Sequence, residues 1–247
     1  VNPYNYNEIF VGTSIGLFKS TNSGSTWFLV NNINHVIRDI EIDKNGRNQI
    51  VYYLSGTKII NGNTNNERRR FIGEPIVLRS IDGLSFIELC DLKNSFSEVK
   101  NQLNGNGPDL VDTYCPEICI AKRDVLNNTD WEVLYIYTSV LKQNNVGIGR
   151  YNLQRLDING IQNSCDIIQT TIVNDGDATP HRLAIDFDPL NEQIYYWGVK
   201  LRRNAVGDII RNSIWGVNSI INYPHQIHND IQDIIIKNNK IYVASDG

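Results

Sequence analysis

One stretch near the start of the chain limits what the rest can fold into, because it reads as three strands in succession. Glu8–Thr13 and Gly16–Ser20 are mainly apolar runs separated by Ser14 and Ile15, and Trp27–Val30 follows a polar segment. Short runs of this kind, bounded by small and polar residues, are typical of antiparallel strands joined by tight turns. The stretch therefore predicts a small antiparallel meander.

The polar segment has the chemistry of a hairpin turn. It reads Ser20-Thr21-Asn22-Ser23-Gly24-Ser25-Thr26-Trp27. An asparagine side chain can bond the backbone amides that follow it, and Gly24 accepts a positive φ at little cost. Ser20 and Thr26 can bond across the turn, while Trp27 is expected to return a large apolar ring to the sheet.

This turn resembles the Asp box, or BNR repeat, whose pattern is Ser-x-Asp-x-Gly-x-Thr-Trp, with Asn22 in place of the aspartate. A second, shortened copy with phenylalanine for tryptophan consists of Ser80, Asp82, Gly83, Ser85 and Phe86. In Asp-box proteins this hairpin joins the two outer strands of a propeller blade, away from the ligand-binding face. The resemblance therefore implies a β-propeller, and it gives both sets of residues a structural role.

Related strands recur along the chain. Strands of the Ile-Tyr type begin near Ile9, Ile50, Val133, Ile194 and Ile241. These intervals fit repeats of about 40–50 residues lengthened by loops. We predict repeats at approximately 1–33, 34–90, 108–175, 180–222 and 229–247. The predicted fold is all-β: a β-propeller, or a partial arc of a larger one, with four-stranded antiparallel blades and Asp-box hairpins.

The remaining strands follow from the same alternation. The predicted strands are Ile37–Asp43, Gln49–Gly56, Ile76–Ser80, Cys115–Lys122, Val133–Ser139, Gly147–Leu153, Cys165–Val173, Arg182–Pro189, Gln193–Val199, Ser213–Asn218, Ile231–Lys237 and Lys240–Gly247. Residues 94–112 predict a long loop, which in a compact domain is functional or peripheral. The first copy lacks an inner strand and the last is unfinished, so we expect the chain to be processed or to be part of a longer protein.

Composition excludes some partners. The net charge of −4 and the pI near 5.6 argue against a nucleic-acid-binding surface. No apolar run approaches the length of about 20 residues that a membrane-spanning helix needs. We therefore expect no nucleic acid and no transmembrane segment, and a protein or glycan as the partner.

The four cysteines bear on the compartment. Cys90, Cys115, Cys119 and Cys165 form an even set, which suits an extracellular or cell-surface location and at least one disulfide. On a regular strand Cys115 and Cys119 would share a face but lie too far apart to bridge. One of them would then pair with Cys90 or Cys165; four buried thiols are the alternative.

Two groups of residues contain potential metal ligands, but neither has a complete ligand pattern. Asp175 and Asp177 place oxygen donors in what reads as a turn, where Ca²⁺ could bind, but the long ligand loop with its distal glutamate is missing. His225 and His228 lie near Asp230 but lack a further ligand at a fixed spacing. We expect no cofactor and no metal.

Catalytic motifs are not evident. Propeller sialidases, which the Asp box also marks, carry a Phe/Tyr-Arg-Ile-Pro motif, and this sequence has none. Endo-glucanase propellers need two aspartates as acid and base; Asp186 and Asp188 belong to the repeat pattern and read as structural. Tyr196, Trp197 and Trp215 could stack on a sugar.

The sequence therefore favours a non-catalytic, secreted or cell-surface recognition module. It would bind through a propeller face or through the loops 61–70 and 94–112. The alternative is a sialidase-like or endo-glucanase-like glycoside hydrolase whose catalytic residues lie partly outside this segment.

Overall fold

In this computed structural model, several strands are described by their backbone alone. The described residues are 1–31, 33–58, 72–73, 75–89, 92, 112–121, 131–141, 149–160, 162, 164–176, 184–188, 190, 193–197, 201–205, 219–220, 231–238 and 240–245. Almost all of the regular secondary structure among them is β-strand, and Leu92 is the one described residue in helical conformation. No helix in the described part is long and apolar enough to cross a membrane.

The strands form five antiparallel sheets, numbered in chain order. Sheet 1 contains β1 (Ile9–Thr13), β2 (Gly16–Ser20) and β3 (Phe28–Leu29). Sheet 2 contains β4 (Val36–Lys44), β5 (Ile50–Thr57), β7 (Pro75–Ser80) and β8 (Ile87–Glu88). Sheet 3 contains β9 (Asp112–Ala121), β10 (Trp131–Leu141), β11 (Gly149–Asn159) and β12 (Ser164–Gly176), with β6 (Ile72–Gly73) paired to the edge of β9. Sheet 4 contains β13 (Ala184–Asp188), β14 (Gln193–Trp197), β15 (Leu201–Ala205) and β16 (Ser219–Ile220), and sheet 5 contains β17 (Ile231–Lys237) and β18 (Lys240–Ser245).

Neighbouring sheets pack face to face, so β5 is buried on both faces. Leu54 packs with Phe10 in an apolar core between sheets 1 and 2. Tyr53, on the opposite face, packs with Leu134 in a core between sheets 2 and 3. A third core joins sheets 4 and 5. Because successive strand residues face opposite sides, an apolar run without alternation such as β5 suits a strand between two layers.

A buried polar network links sheets 1 and 2. The Glu8 carboxylate forms an ion pair with Lys19 at 2.6 Å and accepts hydrogen bonds from Asn2 Nδ2 at 2.6 Å and from the Tyr52 hydroxyl at 2.8 Å. Lys19 also donates to the Gly83 carbonyl at 3.3 Å, in the second hairpin. The network therefore connects the N-terminal loop, both sheets and one hairpin turn.

A second network links sheets 2 and 3. Arg79 Nη2 lies 2.9 Å from Glu132 Oε1, and Arg79 Nε donates to the Tyr53 hydroxyl at 3.2 Å. The Tyr53 hydroxyl in turn donates to Glu132. The charged atoms are thus paired inside the interface, as buried charges must be.

The prediction of a mainly β, antiparallel architecture is confirmed for the described residues. β2 and β17 have the predicted bounds, and the other predicted strands that lie in the described part differ mainly at their ends. The boundaries of the five repeats stay a prediction, because nothing in the structure tests them.

Several local predictions were wrong. Residues 174–176 belong to β12, where the sequence suggested a turn, because β12 continues to pair with β11 as far as Gly149 opposite Gly176. The predicted loop at 94–112 ends one residue earlier, since β9 begins at Asp112. The rest of that loop lies outside the described residues, as does the predicted loop at 61–70. β15 was not predicted, since its sequence Leu-Arg-Arg-Asn-Ala has little apolar alternation. The predicted strand at 213–218 is also outside the described part.

Candidate functional site

The first hairpin is held by its own polar side chains. Asn22 Oδ1 accepts from the Thr26 amide at 2.9 Å, and Asn22 Nδ2 donates to the Thr26 hydroxyl at 2.9 Å. Ser20 Oγ accepts from the Gly24 amide at 2.9 Å, and Gly24 has φ of 88°. Trp27 remains 41% exposed, and its ring lies over the turn, 3.6 Å from where a Cβ on Gly24 would stand. The ring covers the turn more than it fills the core.

The second hairpin uses a carboxylate for the same task. Asp82 Oδ1 accepts from the amides of Leu84 at 2.8 Å and Ser85 at 2.7 Å, and from the Ser80 hydroxyl at 2.7 Å. Ser80 Oγ also accepts from the Gly83 amide at 2.9 Å, and Gly83 has φ of 66°. Phe86 packs partly buried against the core between sheets 1 and 2.

These bonds set the ionisation of Asp82. Burial alone would raise its pKa, but the hydrogen bonds from the Ser85 and Leu84 amides and the Ser80 hydroxyl outweigh burial and lower the pKa to about 2. A carboxylate that accepts several backbone N–H bonds is stabilised in its charged form.

Asp82→Ala should destabilise the protein by about 1–2 kcal/mol, because three donors lose a charged acceptor. Asp82→Asn, which copies Asn22, should cost less. Because the folded-state pKa is lowered, the contribution of Asp82 is present above its ordinary pKa of 3.8 and is lost as the pH falls through about 2. Chemical unfolding of both variants across this range tests the expectation; an alanine variant as stable as the native chain contradicts it.

The first strands of sheets 2 to 5 bring carboxylates together. β4, β9, β13 and β17 lie beside one another. β4 carries Asp39, Glu41 and Asp43, β13 carries Asp186, and β17 carries Asp233. We call these five side chains the central carboxylates.

Four of the central carboxylates bond backbone amides, and Asp43 Oδ1 accepts from the Lys44 amide at 2.7 Å. Asp39 Oδ1 accepts from the Ile40 amide at 2.8 Å, and Asp39 Oδ2 accepts from the Ile118 amide of sheet 3, also at 2.8 Å. Asp186 repeats this arrangement, with Oδ1 bonded to the Phe187 amide at 2.7 Å and Oδ2 to the Ile236 amide of sheet 5 at 2.6 Å. Asp233 Oδ1 accepts from the amide that follows it at 2.8 Å. Asp39 and Asp186 therefore each tie one sheet to another.

The fifth carboxylate, Glu41, interacts electrostatically with these four aspartates. Burial, and then the negative charges of Asp39, Asp186, Asp43 and Asp233, raise the pKa of Glu41 well above its ordinary value. Burial also raises the pKa of Asp186 to about 6, against the opposing effect of its two backbone bonds. Glu41 therefore holds its proton more tightly than an isolated glutamate does.

Glu41→Gln should stabilise the protein at alkaline pH by roughly 1–3 kcal/mol, because it removes a negative charge from a cluster of like charges. A carboxyl with a raised pKa binds its proton more tightly in the folded state, so native stability should fall as the pH rises from the ordinary value of 4.5 through the raised one. The gain from glutamine should therefore vanish near pH 4.

Thermal unfolding across this pH range measures the effect. Asp166→Asn, which removes an exposed carboxylate on β12, is the matched control and should not change the pH profile. A glutamine variant that is less stable than the native chain at alkaline pH would refute the expectation.

Sequence reasoning singled out only Asp186 among these five residues, and it interpreted Asp186 as structural. The signal that was overlooked is an aspartate followed by an apolar residue in the first strand of a repeat, at Asp39, Asp186 and Asp233. Two of these first strands also shift register just before the aspartate, between Ile37 and Asp39 and between Ile231 and Asp233. The third strand, β13, pairs with β14 without a register shift, so the aspartate makes its two bonds with or without the shift.

The other predicted site residues are only partly described. Tyr196 and Trp197 lie on β14, but only their backbone is described, and Trp215 is outside the described part, as are Asp177, His225 and His228. Asp175 lies on β12. No group of three or more His, Cys, Asp or Glu side chains suited to a metal occurs among the described residues.

The cysteine prediction is tested at one position. Cys165 is disulfide-bonded and packs against the core between sheets 2 and 3. The side chains of Cys90, Cys115 and Cys119 are not described. β9 shifts register between Tyr137 and Ser139 of its partner strand, so regular alternation does not relate Cys115 to Cys119. The pairing stays a prediction.

Comparisons with known proteins bear on the fold. No protein-family profile matches the chain, and no curated protein matches it either. The β-propeller domain of Nup133 from Vanderwaltozyma polyspora aligns with 98% of this chain and 66% of its own length, with a TM-score of 0.52 and 12% identity. At that identity the likeness shows the fold alone: the chain folds as a β-propeller type of structure.

Enzymes are also among the similar structures. The GH74 enzyme from Niastella koreensis aligns at 17% identity with a TM-score of 0.39, and an ancestral GH74 enzyme at 16% with a TM-score of 0.38. They cover 83% and 84% of this chain, which spans 27% and 29% of their own lengths. Likenesses this weak do not bear on activity.

Proposed function

We propose that this chain is a recognition and scaffold module, an Asp-box propeller with four-stranded blades that binds a protein or a glycan without catalysing a reaction on it. The observation that carries the proposal is that two of the central carboxylates are already bonded to the backbone. Asp39 and Asp186 have both oxygens engaged by backbone amides from two different strands. A glycosidase acid or base has to be free to contact the substrate and a water molecule.

The location we propose is extracellular or at a cell surface. The disulfide at Cys165 supports it, because disulfides persist mainly in oxidising compartments. The acidic composition also favours protein or glycan partners over nucleic acid.

A glycoside hydrolase is the second candidate, and one observation favours it. Glu41 and Asp186 are neighbouring carboxyls whose pKa values are both raised, to about 6 in Asp186. A raised pKa is what a general acid needs near neutral pH. Glu41 is therefore the residue whose removal distinguishes the two functions.

The test is an activity assay with matched variants. The purified chain should release no product from a β-glucan or a sialoside beyond the amount released by Glu41→Gln and Asp166→Asn. Hydrolysis that Glu41→Gln abolishes and Asp166→Asn preserves would replace the recognition function with the hydrolase. Retention of the chain on an immobilised glycan or protein ligand, without turnover, would support recognition.

A further inference from the structure

The order of the strands in sheet 3 limits which cysteine can be the disulfide partner of Cys165. That order is β12-β11-β10-β9, with Cys165 on β12 and both Cys115 and Cys119 on β9. Neighbouring strands are about 4.8 Å apart, so three spacings separate β12 from β9 by about 14 Å. The two Cα atoms of a disulfide are at most about 6.8 Å apart. Neither cysteine of β9 can therefore reach Cys165.

The pairing register increases this separation further. Across the sheet, Cys119 lies opposite Tyr135, which lies opposite Arg155, and Arg155 lies opposite Gln169 on β12. The row of Cys119 thus crosses β12 at Gln169, and Cys165 lies farther along that strand.

Cys115 and Cys119 are also too far apart to bond to each other. Tyr114 pairs with Ser139 and Cys119 pairs with Tyr135, so β9 follows β10 on both sides of the register shift. At about 3.3 Å per residue, the step from Tyr135 to Ser139 spans about 13 Å, which leaves about 10 Å between Cys115 and Cys119. This distance again exceeds what a disulfide can bridge.

Cys90 is the remaining cysteine, and its neighbours in the chain pack where Cys165 packs. Leu92 is 1% exposed in the core between sheets 2 and 3, and both Leu89 and Cys165 pack against that core. The Leu89 amide donates to the Val77 carbonyl at 3.1 Å, which fixes its position. Because consecutive Cα atoms are about 3.8 Å apart, the residue that directly follows Leu89 stays within reach of this core.

We propose that Cys165 is bonded to Cys90 and that Cys115 and Cys119 remain thiols. The bond joins β12, the outermost strand of sheet 3, to the segment that follows β8, the outermost strand of sheet 2. The inference goes beyond the proposed recognition function and does not depend on it.

The bond acts where the two sheets are otherwise held least firmly. Polar links between described residues join the other strands of these sheets, from Asp39 to the Ile118 amide and from Arg79 to Glu132. On the outer side, β8 contributes only two residues to sheet 2. A strand with so few backbone bonds opens easily, and a covalent cross-link opposes that opening.

The bond forms by thiol–disulfide exchange with a small disulfide such as oxidised glutathione. The thiolate of one cysteine attacks a sulfur of oxidised glutathione and releases one glutathione thiolate. The second cysteine thiolate attacks the mixed disulfide, forms the protein S–S bond and releases the other. Each cysteine loses its proton, the two released thiolates take up protons, and two electrons pass from the protein to the oxidant. Excess reduced thiol reverses the reaction.

Tryptic mapping of the native chain, prepared without reductant, tests the pairing. Free thiols are first blocked with iodoacetamide in denaturant. Cleavage after lysine and arginine separates the cysteines into peptides 80–93 with Cys90, 101–122 with Cys115 and Cys119, and 156–182 with Cys165. Mass spectrometry should find peptide 80–93 linked to peptide 156–182, and peptide 101–122 alkylated at both cysteines. A link between 156–182 and 101–122, or alkylation of Cys165, would overturn the proposal.

Thermal unfolding measures what the bond contributes. Reduction should lower the unfolding midpoint of the native chain by roughly 5–15 °C, because the cross-link closes a loop of about 75 residues in the unfolded chain. Cys90→Ala and Cys165→Ala should each show no further decrease when reductant is added. Cys119→Ala is the matched control and should keep the full decrease. If reductant lowers the midpoint of Cys90→Ala as much as that of the native chain, Cys90 is not the partner.

Hydrogen exchange locates the effect of reduction. Exchange at the Leu89 amide should become faster than exchange at the Ile118 amide does, because Leu89 adjoins the cross-link whereas Asp39 holds Ile118 at the first strands. Equal acceleration at both amides would overturn the role given to the bond at the outer strands. None of these measurements involves a ligand or a substrate, so failure of the pairing can be told from failure of the recognition function.

Discussion

Arg79→Met should destabilise the protein by about 3–5 kcal/mol, the cost expected when one member of a buried ion pair is removed. The Arg79 and Glu132 side chains are only 2% and 6% exposed, so water cannot replace the lost partner. Methionine fills much of the volume of the aliphatic part of the arginine side chain. The lost stability therefore measures the removal of the charge and not the opening of a cavity. Equilibrium unfolding in urea at about pH 8 measures it.

The pH dependence adds a second test of the same pair. Burial raises the pKa of the Glu132 carboxyl to about 7. Without Arg79 this carboxyl should take up a proton readily, and a raised folded-state pKa makes stability fall as the pH rises from the ordinary value of 4.5 toward 7. The destabilisation should therefore be smaller near pH 5 than near pH 8.

Two variants control this prediction. Replacing both partners, as Arg79→Met with Glu132→Leu, should recover most of the stability, because no charge is then left unpaired. Lys58→Met breaks the exposed pair of Lys58 and Glu88, which are 2.6 Å apart with side chains 34% and 38% exposed, and should cost about 1 kcal/mol or less. The prediction fails if Arg79→Met costs no more than Lys58→Met.

Lys19→Met should cost about 3 kcal/mol, because it leaves the Glu8 carboxylate buried without its cation. Lys19 is also 5.0 Å from the centre of the Phe10 ring and bonds the Gly83 carbonyl, so both contacts are lost as well. The remaining donors to Glu8, from Asn2 and Tyr52, should keep the cost below that of Arg79→Met.

The acid limb of the stability curve tests the role of Glu8 in this network. Burial would raise the pKa of Glu8, but hydrogen bonds from Lys19, Asn2 and Tyr52 lower it overall. Its contribution is therefore present above the ordinary pKa of 4.5 and is lost as the pH falls through the lowered value. In Lys19→Met the free energy of unfolding should decrease less as the pH falls than in the native chain, and the same is expected of Glu8→Gln. If both variants lose stability at acid pH as steeply as the native chain does, Glu8 does not have this role.

The sequence was most informative where structure depends on near neighbours. The bonds within the two hairpins join residues at most four positions apart, such as Ser20 to Gly24 and Asp82 to Ser85. Whether these turns belong to the Asp-box family stays an interpretation of that pattern. The alternation that predicted β2 and β17 is likewise local, whereas β15, with little alternation, was missed.

The central carboxylates show what only the tertiary structure decided. Asp39 bonds the amide of Ile118 and Asp186 bonds that of Ile236, contacts that join separate sheets across long stretches of chain. No local pattern encodes which aspartate meets which amide, because that depends on how the sheets are stacked. The same is true of the pairing of Arg79 with Glu132 and of the charges that gather around Glu41. Sequence by itself therefore determined the hairpin turns and most of the described strands, because these depend on near neighbours, while the ionisation and bonding of the central carboxylates arose only when separate sheets came into contact.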